Sequence, residues 1–128
     1  MIDTKVYGSH LLLDCYGANP KALQDPDLIY KFLDELPAMI GMEKVEAPHV
    51  VSFDDPEKAG VTGIIMIITS HISIHTYSLK KCFFLDVFSC KDFDPEIVIA
   101  KAKETFEFTS SMSKFVERGS KFPNSNIV

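Results

Sequence analysis

Between Gly60 and Cys90 the chain carries three groups able to do covalent chemistry: the Ser70 hydroxyl, the His75 imidazole and the Cys90 thiol. A hydroxyl is a weak nucleophile until a base takes its proton, and imidazole is the usual base near neutral pH. His75 lies five residues after Ser70, in the stretch Ser70-His71-Ile72-Ser73-Ile74-His75-Thr76. That spacing admits a Ser–His hydrolase, although the G-x-S-x-G elbow that exposes such a serine is missing. It also admits a strand whose polar face carries serine and histidine in alternation. Spacing alone leaves both readings open.

Other chemistries have less support. The chain has no C-x-x-C and no H-E-x-x-H, so no metal site is expected. It has no G-x-G-x-x-G and no G-x-x-x-x-G-K-[ST], so no phosphate cradle is expected either. Cys15, Cys82 and Cys90 are an odd number of cysteines, which does not read as a disulfide framework. Cys15 and Cys82 read as small core residues.

The elements that must position these groups follow from the apolar pattern. Tyr7–Tyr16 reads as a strand closed by the turn cluster Gly17-Ala18-Asn19-Pro20. A helix is expected from Asp25-Pro26, a capping acid followed by proline in the first turn. Its stripe is Ile29, Phe32, Leu33, Leu36 and Ile40; Pro37 should kink or shorten it, and Gly41 is a stop. Val45–Phe53 reads as an edge strand because of Pro48, Val61–Ile68 as a central strand, and Ile72–Thr76 as a half-buried strand. Ser78–Lys81 reads as a turn and Cys82–Ser89 as another strand. A second helix opens at Asp94-Pro95-Glu96 and buries Val98, Ala102, Thr105 and Phe106. Phe108–Glu117 is a last strand, and a polar tail begins at Gly119. The order β-α-β-β-β-β-α-β implies an α+β two-layer sandwich, two helices covering one face of a mostly antiparallel sheet.

Composition bounds the function. The 128 residues are 46% hydrophobic and 24% charged, the profile of a folded globular chain, read as a single domain over residues 1–128. A net charge of −5 and a pI of about 5.3 argue against nucleic acid as a partner. No apolar run approaches a membrane span, and the start MIDTKVYGSH lacks a signal-peptide core, so a cytoplasmic location is expected.

The chain resembles the small prokaryotic S-adenosylmethionine decarboxylase proenzymes. The resemblance runs from Gly8-Ser9-His10-Leu11-Leu12-Leu13-Asp14 and Tyr16-Gly17, through Gly60-Val61-Thr62-Gly63, to Ser70-His71-Ile72-Ser73-Ile74-His75-Thr76. It continues at Leu85-Asp86-Val87-Phe88-Ser89-Cys90 and ends at Glu117-Arg118-Gly119. The S-H-x-x-x-H-T heptapeptide, with a cysteine fifteen residues after its last histidine, is the specific part of the signal.

The resemblance implies a self-cleaving chain. The Ser70 hydroxyl attacks the carbonyl before it, an ester forms, and β-elimination leaves a pyruvoyl group on the new C-terminal chain. The cut falls between Thr69 and Ser70, giving chains of 69 and 59 residues. The pyruvoyl cofactor forms a Schiff base with the substrate amine and acts as an electron sink for loss of CO2. By resemblance, His75 promotes self-processing and Cys90 protonates the product carbon. A thiol with an ordinary pKa of about 8.5 is mostly protonated near neutral pH and suits that step. Thr62 stands where the family has a processing serine, and Asp14 where it has an active-site glutamate. The resemblance also implies a homodimer with sheets packed face to face, an αββα arrangement with active sites near the interface.

Departures fall mainly on the nucleoside side. Thr69 replaces a glutamate before the serine, and Tyr77-Ser78-Leu79 replaces Trp-Pro-Glu. Tyr77 can still stack on adenine, with Phe53 as a second stacking face. Leu79 cannot accept hydrogen bonds from ribose hydroxyls, which a glutamate would. The expected substrate is S-adenosylmethionine, as aminopropyl donor for spermidine synthesis. A pyruvoyl-dependent ornithine or arginine decarboxylase, or a non-processing regulatory homologue, are the alternatives.

Overall fold

The computed structural model describes residues 1–128. The strands are β1 (Thr4–Lys5), β2 (Gly8–Tyr16), β3 (His49–Phe53), β4 (Gly60–Ile67), β5 (Ser70–Tyr77), β6 (Cys82–Ser89), β7 (Ser110–Arg118) and β8 (Phe122–Pro123). The helices are α1 (Pro20–Leu23), α2 (Pro26–Met39) and α3 (Pro95–Phe106), with a 3-10 turn at Ser78–Lys80.

All three α-helices open with the same device. Asn19, Asp25 and Asp94 accept backbone N–H bonds from the first turn, and a proline follows each. The proline's missing N–H is one the helix end would leave unpaired anyway. Two of these starts show in the sequence; α1, whose four residues are too few for periodicity, does not, and Asn19-Pro20 reads there as part of a turn. Helix α2 ends at Met39, two residues beyond Pro37.

Six strands form one sheet in the order β3-β4-β5-β6-β2-β7, every neighbouring pair antiparallel. As Pro48 implied, β3 lies at an edge. One face is covered by the helices. It carries Leu11, Leu13, Val61, Ile65, Ile72, Ile74, Phe83, Leu85 and Val87, buried against Ile29, Phe32, Leu33, Leu36, Val98, Ala102 and Phe106. Thr105 is only half-buried, short of the expected core role.

The opposite face has no helix over it. Strand alternation places Leu12, Ile64, Met66, Phe84 and Val116 there, all partly exposed, among His10, His71, Ser73, His75 and Asp86. Cys82 also lies on this half-buried face and not in the core, because it is the cross-strand partner of Tyr16 and Tyr77. Cys15 is fully buried, as expected. The segment after Gly119 is not a free tail: β8 pairs antiparallel with β1, bringing both chain ends together.

Candidate active site

Strand β5 begins immediately after a two-residue turn, Ile68-Thr69, that links it to β4. Thr69 has φ +54°, a left-handed conformation that a β-branched residue rarely adopts. Such a backbone costs about 1–3 kcal/mol and persists only where the surroundings hold it. It is the residue whose carbonyl precedes Ser70. That carbonyl accepts a hydrogen bond of 2.7 Å from the Tyr7 hydroxyl.

Ser70 is buried, and its Oγ accepts the Cys90 backbone N–H at 2.7 Å. The Cys90 thiol lies 3.5 Å from the Ile68 carbonyl, to which it donates. Burial pushes the Cys90 thiol up, but hydrogen bonds at the Thr69 and Ser70 side chains outweigh it, and the thiol ends below its ordinary value. Gly8 lets β2 pass close beside this point: a Cβ there would sit 1.8 Å from the Ser89 carbonyl oxygen. Beside Cys90 is a recess of about 370 Å³ whose polar lining includes Lys5, Ser9, Asp92 and Glu117. The Ser9 hydroxyl donates to Asp92 at 3.0 Å.

His75 is elsewhere. It is the cross-strand partner of Thr62, and Thr62 Oγ1 and His75 Nδ1 share a hydrogen bond of 3.0 Å. Phe53, Lys58 and Tyr77 join them around a recess of about 180 Å³. Tyr77 also meets Phe84 edge-on, centroids 6.2 Å apart. Asp14 lies on the same rung of the sheet, with Phe84 between it and His75.

The residues singled out in the sequence therefore fall into two groups within one chain. Thr69, Ser70 and Cys90 stand together at one end of β5; Phe53, Thr62, His75 and Tyr77 stand together toward the other. The Ser70 side chain points to the helix-covered face and the His75 side chain to the open face, about 16 Å further along the strand. Five is an odd spacing in a structure of period two, so the reading of Ser70 and His75 as a pair in one chain does not hold.

Two neighbours escaped the sequence reading. The apolar pattern makes Tyr7 a strand residue; it precedes β2, and its contact with Thr69 spans 62 positions. Arg118 donates to His10 Nδ1 at 2.8 Å, which leaves the His10 proton on Nε2 in a neutral ring. Desolvation by burial is the main cause that holds His10 below its ordinary pKa, with nearby Asp86 opposing it. No local pattern signals either contact.

Comparison with known proteins gives the family and the fold. Residues 9–119 match the family described as S-adenosylmethionine decarboxylase. The chain is 30% identical over 115 residues to the S-adenosylmethionine decarboxylase proenzyme of Pyrococcus furiosus, covering 86% of this chain and 80% of that protein. It is 31% identical over 116 residues to the proenzyme of that name from Clostridium botulinum strain Hall, covering 90% and 97%. Among solved structures, the adenosylmethionine decarboxylase of Aquifex aeolicus superposes with a TM-score of 0.78 at 25% identity, covering 96% of this chain and 99% of that one. The fold and the Ser70–Cys90 centre define an α+β protein with a serine at a strained strand start. The chain belongs to the S-adenosylmethionine decarboxylase family. No helix in it is long and apolar enough to cross a membrane.

Proposed function

We infer that this chain is a self-processing, pyruvoyl-dependent S-adenosylmethionine decarboxylase proenzyme acting as a homodimer. The observation that carries the reading is the Ser70 centre: a buried hydroxyl oxygen held by the Cys90 N–H, next to a carbonyl in a strained turn. Strain at Thr69 raises the energy of the intact peptide and is relieved when the Thr69–Ser70 bond breaks, which favours cleavage there. The N–H bond from Cys90 fixes the Ser70 oxygen beside the carbonyl it attacks.

The residues present fit a pyruvoyl group. Its precursor serine is the first residue of β5, and Cys90 lies against it. When formed, the group supplies an electron sink for loss of CO2 from an α-amino acid. The Cys90 thiol then holds the proton for the product carbon. Asp92 and Glu117 give the adjoining recess acidic walls suited to the amino and sulfonium charges of S-adenosylmethionine.

His75 and Thr62 act on the Thr69–Ser70 peptide of the other copy, which they reach from its open face. A two-fold axis between the open faces, perpendicular to the strands, sets the His75 end of one sheet against the Ser70 end of its mate. The exposed apolar residues Leu12, Ile64, Met66, Phe84 and Val116 favour this packing. Tyr77 and Phe53 then offer adenine two aromatic faces at the same boundary.

The test is the intact mass of purified protein, with Ser70→Ala alongside. The expected result is two chains broken between Thr69 and Ser70, absent in the variant. A single uncut chain after long incubation overturns the enzyme reading and favours a non-processing homologue.

A further inference from the structure

We propose that Tyr7 is a catalytic residue of the self-cleavage, its phenol stabilising the oxyanion that forms on the Thr69 carbonyl. The proposal rests on the self-processing reading above and names a residue that reading does not need.

The contact is specific. The Tyr7 hydroxyl donates to the Thr69 carbonyl oxygen at 2.7 Å. That oxygen gains charge when the Ser70 hydroxyl adds to the Thr69 carbonyl carbon. The new O–C bond pushes the carbonyl π electrons onto oxygen. The C–N bond then breaks, the hydroxyl proton passes to the Ser70 nitrogen, and an ester joins Thr69 to Ser70 Oγ. No atom enters or leaves. A donor already aimed at that oxygen strengthens as its charge grows, with no reorganisation during the step.

Three features hold the phenol in place. Its ring meets Phe122 edge-on at 4.8 Å and Phe88 at 5.8 Å. Its backbone N–H donates to the Arg118 and Gly119 carbonyls, both at 3.0 Å. Gly119, at φ +68°, packs against the base of the Tyr7 side chain: a Cβ there would sit 2.6 Å from the Tyr7 Cβ. The β1–β8 pair closes this seat behind Tyr7. The chain's last segment is thus tied to the residue that touches the scissile carbonyl.

The experiment follows conversion of the uncut 128-residue chain to its two fragments by gel and intact mass, for wild type, Tyr7→Phe and Phe122→Ala. Tyr7→Phe keeps the ring contacts and removes only the hydroxyl. It is expected to cleave roughly a hundredfold more slowly, the effect of losing one oxyanion donor, with circular dichroism unchanged. Hydroxylamine, which cuts an accumulated ester, should not restore its rate, because the ester is not reached. Phe122→Ala, which keeps the hydroxyl and loosens its seat, should be slowed less. Wild-type rates in Tyr7→Phe overturn the proposal and leave self-processing intact. Restoration by hydroxylamine overturns it too, by moving Tyr7 to the elimination step. Slower cleavage in Phe122→Ala than in Tyr7→Phe reduces Tyr7 to a packing role. An uncut wild type overturns both this proposal and the reading beneath it.

Discussion

Ser70 and His75 lie on one strand, yet their side chains leave β5 on opposite faces of the sheet. Each has its own partner: Ser70 the N–H of Cys90, His75 the hydroxyl of Thr62. In the homodimer proposed above, the histidine that assists Ser70 is His75 of the second copy.

Mixing chains tests that directly. Neither Ser70→Ala nor His75→Ala should cleave efficiently alone. When the two are co-expressed, the His75→Ala chain should be cut, because its intact Ser70 meets an intact His75 on the Ser70→Ala chain. Tagged chains of different mass make the assignment unambiguous. If the His75→Ala chain stays whole in the mixture while forming mixed dimers, the shared site is wrong.

The three thiols should ionise in a set order. Hydrogen bonding holds Cys90 below the ordinary thiol range, while burial raises Cys82 and pushes Cys15 to about 12. Only the thiolate reacts with iodoacetamide. In the uncut chain, as pH rises from about 6 to about 10, Cys90 should be modified first, at lower pH than a free cysteine, and Cys82 later. Cys15 should remain unmodified until the protein unfolds. Peptide mapping by mass reads the order, and Cys15 labelling ahead of Cys90 would contradict the geometry.

Thr76 is a buried hydroxyl with two obligations. It accepts the Val61 N–H at 2.8 Å and donates to the Leu23 carbonyl at 2.6 Å, tying α1 to the sheet. Thr76→Val keeps the shape and leaves both backbone groups without that partner. The expected loss is about 1–3 kcal/mol of unfolding free energy, read by urea titration with an unchanged slope.

Leu79 is 69% exposed in the turn after Tyr77 and offers no acceptor to a ribose. Leu79→Glu should lower KM for S-adenosylmethionine by roughly ten- to a hundredfold, the worth of a charged hydrogen bond, without altering chain cleavage. The same assay run with ornithine and arginine identifies the preferred amino acid. An unchanged KM for S-adenosylmethionine would move ribose recognition away from this turn.

Much of the architecture was legible from pattern. Apolar pattern marked β2, β4, β5 and β6 to within a residue or two: alternation for β5 and a nearly continuous β-branched run for β4. The Asp-Pro starts marked α2 and α3, because a cap and a proline solve the same unpaired N–H problem wherever they occur. Residue types offered Ser70 and Cys90 as reactive groups and the family resemblance assigned their roles; the structure joins the Ser70 Oγ to the Cys90 N–H at 2.7 Å.

The sequence by itself determined the local elements, the reactive residue types and the odd spacing that separates Ser70 from His75. Strand order decided the rest. Tyr7 meets Thr69 only because the chain end leading into β2 is carried past the β4–β5 turn and clamped there by β8, contacts spanning 62 and about 115 positions. Periodicity reports which face a residue is on, not which distant strand becomes its neighbour. Only the packed sheet settles that.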